Sequence, residues 1–291
     1  MKTIRDAGVP EHFNVPWKAA IDNKLFEKNK LDLEWTDVPQ GTGRMCEMLR
    51  SGETDLAVIL TEGIVRDIAL GNPSCILQIF VGSPLLWGIH VSAGSRFESI
   101  AELRNKTVAI SRFGSGSHLM AVVHASAMGW DISAMRFVTV DTIEGAVEAL
   151  ASGAADYFMW ERFMTKPLVD NGSFTRLGDC PTPWPCFVIA ARRDFVESEG
   201  ESVQKVLETL NGFVDKISES PDLAQQIAAH TGLQRPDVET WLSMTKWSRE
   251  VPGEEMLNNV QNHLSELSLI DKKATFTQLT CVAARCNDGE P

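Results

Sequence analysis

Residues 111–118 read Ser-Arg-Phe-Gly-Ser-Gly-Ser-His, the stretch of this chain best suited to holding a small polar group. Glycines let backbone amides approach a ligand, serines offer hydroxyls, and a following helix would present free N–H groups and its positive dipole end. Ser111, Arg112, Gly114, Ser115, Gly116, Ser117 and His118 are therefore candidate ligand residues for a carboxylate, sulfonate or phosphate. The loop lacks the Gly-Lys-Ser/Thr ending of a nucleotide-binding loop and fits no dinucleotide frame. An ordinary turn with Ser117 as helix N-cap is the competing reading. Two acids, Glu62 and Glu161, could receive ligand amino groups or ring N–H donors; the competing reading makes them solvated helix-start acids. His12 and Phe13 offer a hydrogen bond and a stacking surface, Trp160 an aromatic wall, and Gly41, Thr42, Gly43, Thr61 and Asp141 complete the candidate set.

These residues need elements to position them, and the chain supplies the elements twice. Met45 to Leu60 and Ala146 to Glu161 align so that Glu47/Glu148, Leu49/Leu150, Ser51/Ser152, Gly52/Gly153 and Asp55/Asp156 coincide. Each copy reads as a helix stopped by glycine, a tight turn and a buried strand. Upstream of the first copy the pattern predicts a strand (3–7), a helix (16–28, capped by Asn14) and a strand (31–38). Upstream of the second it predicts a strand (107–111), a helix (117–128) and a strand (135–140). Each half is thus β-α-β-α-β, which implies a doubly wound, mainly parallel sheet with its ligand loops at the carboxyl ends of the strands. The candidate residues fall on those loops. A Pro-rich connection, 179–185, separates the second half from an apolar strand (187–191) that should cross back to the first lobe. Residues 87–91 should be the outward crossing. Helical patterns over 203–217, 221–230, 236–246 and 254–267 should pack on lobe 1.

Bulk properties narrow the function classes. With 291 residues, 44% hydrophobic and 23% charged, the chain can bury a core in each of two units. A formal net charge of −12 argues against nucleic acid and anionic membrane surfaces as partners. No apolar run is long enough to insert in a membrane, and the start lacks a signal-peptide pattern, so a cytoplasmic location is expected, or a periplasmic one if a leader was removed. The six cysteines, Cys46, Cys75, Cys180, Cys186, Cys281 and Cys286, match no zinc spacing and read as buried or incidental thiols; no metal and no cofactor are expected.

The motifs Pro-Glu-His-Phe (10–13), Gly-Thr-Gly (41–43), Leu-x-Ser-Gly-x-x-Asp leading to Thr-Glu-Gly (49–63), the Ser111–His118 loop and Met-Trp-Glu-Arg-Phe (159–163) carry a resemblance. Over about residues 1 to 215 the chain resembles the type II periplasmic-binding-protein-like proteins of the thiamine-pyrimidine, sulfonate and nitrate branch. It is most similar to members from fungi and bacteria without signal peptides. The resemblance implies a two-lobed α/β fold: lobe 1 from 1–86 and 189–291, lobe 2 from 87–188. It also implies a cleft that closes over a small-molecule ligand, and an ABC permease as partner if the protein is exported. It places Ser115, Gly116 and Ser117 at the anion-binding helix start, with His12, Thr61, Glu62, Trp160 and Glu161 around the rest of the ligand. The donor-accepting acids rank an aminopyrimidine or another heteroaromatic amine, such as a thiamine precursor, above simple organic anions. The alternative is a cytosolic enzyme of the same fold, of the thiamine-pyrimidine or menaquinone-biosynthesis type, or a lyase with Glu62 or Glu161 as base and His12 as acid. No lysine lies in the candidate loops for a pyridoxal phosphate Schiff base. Alanine at Ser115 and Ser117 is expected to weaken binding with little change in stability.

Overall fold

The computed structural model describes residues 3–281. The chain divides into two units, one built from residues up to Ser83 together with Trp184 onward, the other from Pro84–Pro183. In chain order the first unit opens with β1 (Thr3–Gly8), α1 (Val15–Asp22), α2 (Leu25–Lys28), β2 (Asp32–Asp37), α3 (Thr42–Ser51), β3 (Leu56–Leu60), α4 (Thr61–Ala69) and β4 (Ser74–Val81). The second unit holds β5 (Leu86–Ser92), β6 (Thr107–Ile110), α5 (Gly116–Ala127), β7 (Arg136–Thr139), α6 (Ile143–Ser152), β8 (Tyr157–Glu161), α7 (Lys166–Asp170) and β9 (Phe174–Pro181). The chain then returns to the first unit with β10 (Phe187–Arg192) and helices α8 (Arg193–Ser218), α9 (Leu223–Thr231), α10 (Arg235–Met244), α11 (Glu254–Glu266) and α12 (Phe276–Leu279).

Each unit contains a five-stranded sheet, ordered β2-β1-β3-β10-β4 in the first and β7-β6-β8-β5-β9 in the second. In the first, β1 pairs in parallel with β2 and β3, while the returning β10 runs antiparallel between β3 and β4. In the second, β6 pairs in parallel with β7 and β8, while β5 runs antiparallel between β8 and β9. The crossing strands are therefore central strands of the sheets they enter, which explains their continuous apolar runs.

The internal repeat has a structural counterpart in every position that defines it. Gly52 and Gly153 end α3 and α6 with φ of 74° in both cases, the left-handed conformation that only glycine adopts cheaply. Three residues on, Asp55 Oδ2 accepts the Arg5 backbone N–H at 3.0 Å, and Asp156 Oδ2 accepts that of Thr107 at 2.7 Å. Asp55 and Asp156 thus do the same work in each sheet: they fix the start of β3 against β1 and of β8 against β6.

Several boundaries differ from the sequence expectation. The helix expected over 16–28 is broken at Lys24, which takes φ of 54°, and Asn14 does not cap it. The Asn14 amide instead donates to Val9 O at 2.8 Å, inside the loop that follows β1. Asp179, Cys180 and Pro181 belong to β9, paired with β5, so the Pro-rich connection begins only after them. Helix α5 is capped by Ser115, whose hydroxyl accepts the His118 N–H, and not by Ser117.

The cysteine expectation holds in part. Cys46, Cys180 and Cys186 are buried, but Cys75 and Cys281 form a disulfide across a sequence separation of 206. The pairing follows from the C-terminal segment running beside β4, where Cys281 N–H donates to Ile76 O at 3.2 Å. Arg193 reinforces this edge by donating to the carbonyls of Thr277 and Gln278. Cys286 lies outside the described residues. Closing so long a loop constrains the unfolded chain, worth about 2 to 5 kcal/mol. Reduction with TCEP, or the Cys75→Ser/Cys281→Ser variant, should therefore lower the melting temperature by several degrees in a thermal melt. Identical melts with and without reductant would contradict the bond.

Candidate functional site

In the first unit the loops after β1 and β3 and the start of α3 converge. Phe13 is buried against Phe187, 5.0 Å between ring centroids, and Phe187 pairs in register with Leu60, the last residue of β3. Thr42 at the start of α3 meets Gly63 in the first turn of α4 so closely that a Cβ on Gly63 would lie 2.1 Å from Thr42 Cγ2. Gly41, with φ of 74°, makes the turn into α3, and Gly43 follows in its first turn. His12, Phe13, Thr42, Thr61 and Glu62 are thus brought to one end of one sheet.

His12 is fully buried, stacked on Phe13 at 4.5 Å and edge-on to Trp241 at 4.5 Å. Burial lowers its pKa to about 3, so the imidazole is neutral at ordinary pH. The neutral ring keeps one N–H and is a weaker proton donor than an imidazolium. Trp241 and Trp247, which meet edge-on at 5.7 Å, were not anticipated as neighbours of this loop. The Trp247 indole donates to Phe13 O at 3.1 Å. Their signal in sequence is absent, because they lie in the C-terminal region, more than two hundred residues from the loop they support.

Glu62 is not a solvated helix-start acid; it is 1% exposed. The Trp184 indole donates to its Oε2 at 2.8 Å, while Oε1 is buried with no hydrogen-bond partner among the described residues. Burial raises its pKa to about 7, against the opposing pull of its own backbone amide and of Trp184. Thr61 is also enclosed, donating its hydroxyl to Pro185 O at 2.5 Å, and its N–H goes to Cys186 O at 3.0 Å. The start of α4 therefore grips the segment 184–186 by three hydrogen bonds.

In the second unit, Ser111, Ser115 and Ser117 are buried and mutually bonded, with Ser117 Oγ 3.0 Å from Ser115 Oγ and 3.3 Å from Ser111 Oγ. Ser117 Oγ also accepts the Ser111 N–H at 2.9 Å. Arg112 and Gly114 are exposed, Gly116 is partly exposed, and Gly114 N–H donates to His118 Nδ1 at 3.2 Å. Phe113, 67% exposed, lies edge-on to His118 at 5.2 Å and to Phe137 at 5.9 Å. Asp141 takes φ of 57° and donates its N–H to Ser111 O at 3.1 Å, which joins its loop to the serine loop.

Two aromatic and acidic candidates have structural work here. Glu161 is buried and folds back to accept the N–H groups of Phe163 and Met164 at 2.9 and 2.7 Å. Trp160 stacks on Phe158 at 5.4 Å and meets Trp87 edge-on at 6.3 Å. The expectation that Ser117→Ala spares stability is corrected: the hydroxyl satisfies a buried N–H, and its loss costs about 1 to 3 kcal/mol. Among the described residues, no group of three or more His, Cys, Asp or Glu side chains is placed to hold a metal ion, and no helix is long and apolar enough to cross a membrane.

Comparison with known proteins decides the fold. A family model described as Ca3427-like PBP matches residues 87–180. The solved Candida albicans CA3427 gene product is similar over 94% of this chain and 92% of its own, at 24% identity and a TM-score of 0.85. That protein is described as exhibiting the generic periplasmic binding protein structural fold. The chain has the type II periplasmic-binding-protein fold. Two further proteins of this fold are similar: the alkanesulfonate-binding protein SsuA from Xanthomonas axonopodis pv. citri bound to MOPS, and PhnD1 from Prochlorococcus marinus with methylphosphonate. The first is 18% identical, covering 95% of this chain and 97% of its own, with a TM-score of 0.81. The second is 12% identical, covering 92% and 99%, with a TM-score of 0.64. No curated protein matches the chain.

The electrostatics of Glu62 give a stability test. Its pKa of about 7 in the folded chain lies above the unfolded value near 4.5. The stabilising effect of the bound proton is therefore complete below about pH 4.5 and is lost as pH rises through about 7. The wild type should lose melting temperature between pH 5 and 8, and Glu62→Gln should lose less of it. Parallel pH profiles for the two proteins would contradict a buried, proton-holding Glu62.

Proposed function

We propose that the chain is a solute-binding protein that closes its inter-lobe cleft over one small polar molecule, using the loop sets of both units. The observation that carries this reading is that each sheet places, at the carboxyl ends of its parallel strands, a helix start built from polar side chains. These are Thr61 and Glu62 on α4, and Ser115 to Ser117 on α5. Its support from comparison is the fold shared with proteins solved with MOPS and methylphosphonate bound.

The solute is a heteroaromatic amine of the aminopyrimidine or thiamine-precursor class. Glu62 favours a donor-bearing molecule, since its buried Oε1 is an acceptor with no hydrogen-bond partner among the described residues. His12, neutral and flanked by aromatic rings, suits a planar ring better than a charged group. Ser111, Ser115, Ser117, Gly116 and Arg112 would take the polar end of the same solute, with Gly41, Thr42, Gly43, Gly114, His118, Asp141, Trp160 and Glu161 shaping the remaining walls. The Cys75–Cys281 disulfide favours an oxidising compartment over the cytoplasm, which would make an ABC permease the natural partner.

A thermal-shift screen over aminopyrimidines, sulfonates, phosphonates, nitrate and carboxylates tests the reading. A heteroaromatic amine at 100 times its dissociation constant should add about 2.7 kcal/mol of stability. It should be recovered unchanged. A shift from sulfonates alone would overturn the solute class, and conversion of the added compound would make the protein an enzyme.

A further inference from the structure

Glu62 occupies the first turn of the nine-residue helix α4, where the free N–H groups and the dipole favour a negative charge. Yet the residue is enclosed, one carboxyl oxygen is held by the Trp184 indole, and the other has no partner among the described residues. An acceptor buried without a donor bears its full desolvation cost, which an incoming donor would relieve. We propose that Glu62 selects the solute through one of its N–H donors and gives up its own proton as the solute binds, with Trp184 positioning the carboxyl. The inference rests on the solute-binding reading above and adds to it a proton release at Glu62 and a positioning role for Trp184.

Glu11, in the loop after β1, is another carboxyl of this unit that burial raises to about 7. The elements against α4 carry Arg44, Cys46, Glu47 and Arg50 on α3, Arg192 on β10, and Glu254, Glu255, Glu266 and His263 on α11, the His263 ring meeting Trp184 edge-on at 5.5 Å. Cys186 lies in the gripped segment, its thiol turned to Val81 O, while β3 and α12 carry no ionisable side chain. On α4 itself, Asp67 is engaged by Arg50 of α3, and Arg66 donates to Leu269 O. No charged side chain is among the influences on Glu62, which are burial, its own amide and Trp184. With Glu62 near a pKa of about 7, an arriving N–H donor favours the ionised form and expels the proton.

Titration calorimetry with 4-aminopyrimidine as the probe, run at pH 6.5 in two buffers of different ionisation enthalpy, counts that proton directly. Wild type should release most of one proton per molecule bound, and Glu62→Gln should release none and bind at least tenfold more weakly. Trp184→Phe removes the donor that favours the ionised carboxyl, so its proton release should persist to higher pH. Equal binding by wild type and Glu62→Gln, without proton release from either, would overturn the inference while leaving the solute reading intact. Absence of binding by both would overturn the heteroaromatic-amine reading. In that case the Trp184 indole N–H resonance decides the inference. It should titrate with a midpoint near 7 in wild type and stay constant in Glu62→Gln; a constant resonance in wild type overturns the proposal.

Discussion

In both sheets an aspartate carboxylate accepts the backbone N–H of a residue on the neighbouring parallel strand, Asp55 on Arg5 and Asp156 on Thr107. The interaction recurs at the same offset from the glycine that ends the preceding helix. It therefore sets the register of β3 beside β1 and of β8 beside β6, which are paired Asp6 with Leu56 and Val108 with Tyr157. Register decides where a strand ends. A slip of one residue would turn each side chain to the other face and displace Thr61, Glu62 and Glu161 from the ends of their strands. The candidate site depends on two short charge-assisted hydrogen bonds placed at the opposite ends of the strands that carry it.

The parts of the fold legible in the sequence are those with local causes. The helix–glycine–aspartate–strand order was readable because glycine alone tolerates the left-handed turn, and because the same order occurs twice. The strand runs of β10 and β5 were readable because a central strand is apolar on both faces. What escaped was decided by partners far away in sequence. Cys75 meets Cys281 because the C-terminal segment lies along β4, and nothing near either cysteine signals that. Asn14 has the right type and place for an N-cap but spends its amide on Val9 O within the loop.

The site shows the same division. Its loops were located correctly on the strand ends by the βα rule, and the structure brings His12, Phe13, Thr42, Thr61 and Glu62 together in one unit and the three serines together in the other. The state of those side chains was not legible. Glu62, read as a ligand acid or a solvated helix-start acid, is enclosed at the start of α4 by Trp184 and Pro185, more than a hundred residues on. His12, read as a hydrogen-bonding ligand or an acid, is enclosed by Trp241 and left neutral. Ser117, read as a cap or a ligand hydroxyl, instead satisfies the backbone of Ser111, and Ser115 does the capping. Burial, which long-range contacts create, changes the state of polar residues that look surface-exposed in the sequence.

The central claim is that the α4 start and the serine loop act on one solute. Hydrogen–deuterium exchange of the full chain, with and without the compound that gives the largest thermal shift, tests it most directly. The account predicts slowed exchange in peptides covering 60–66 and 111–119 at the same solute concentration. Slowing confined to one of these segments, or to neither, would contradict it.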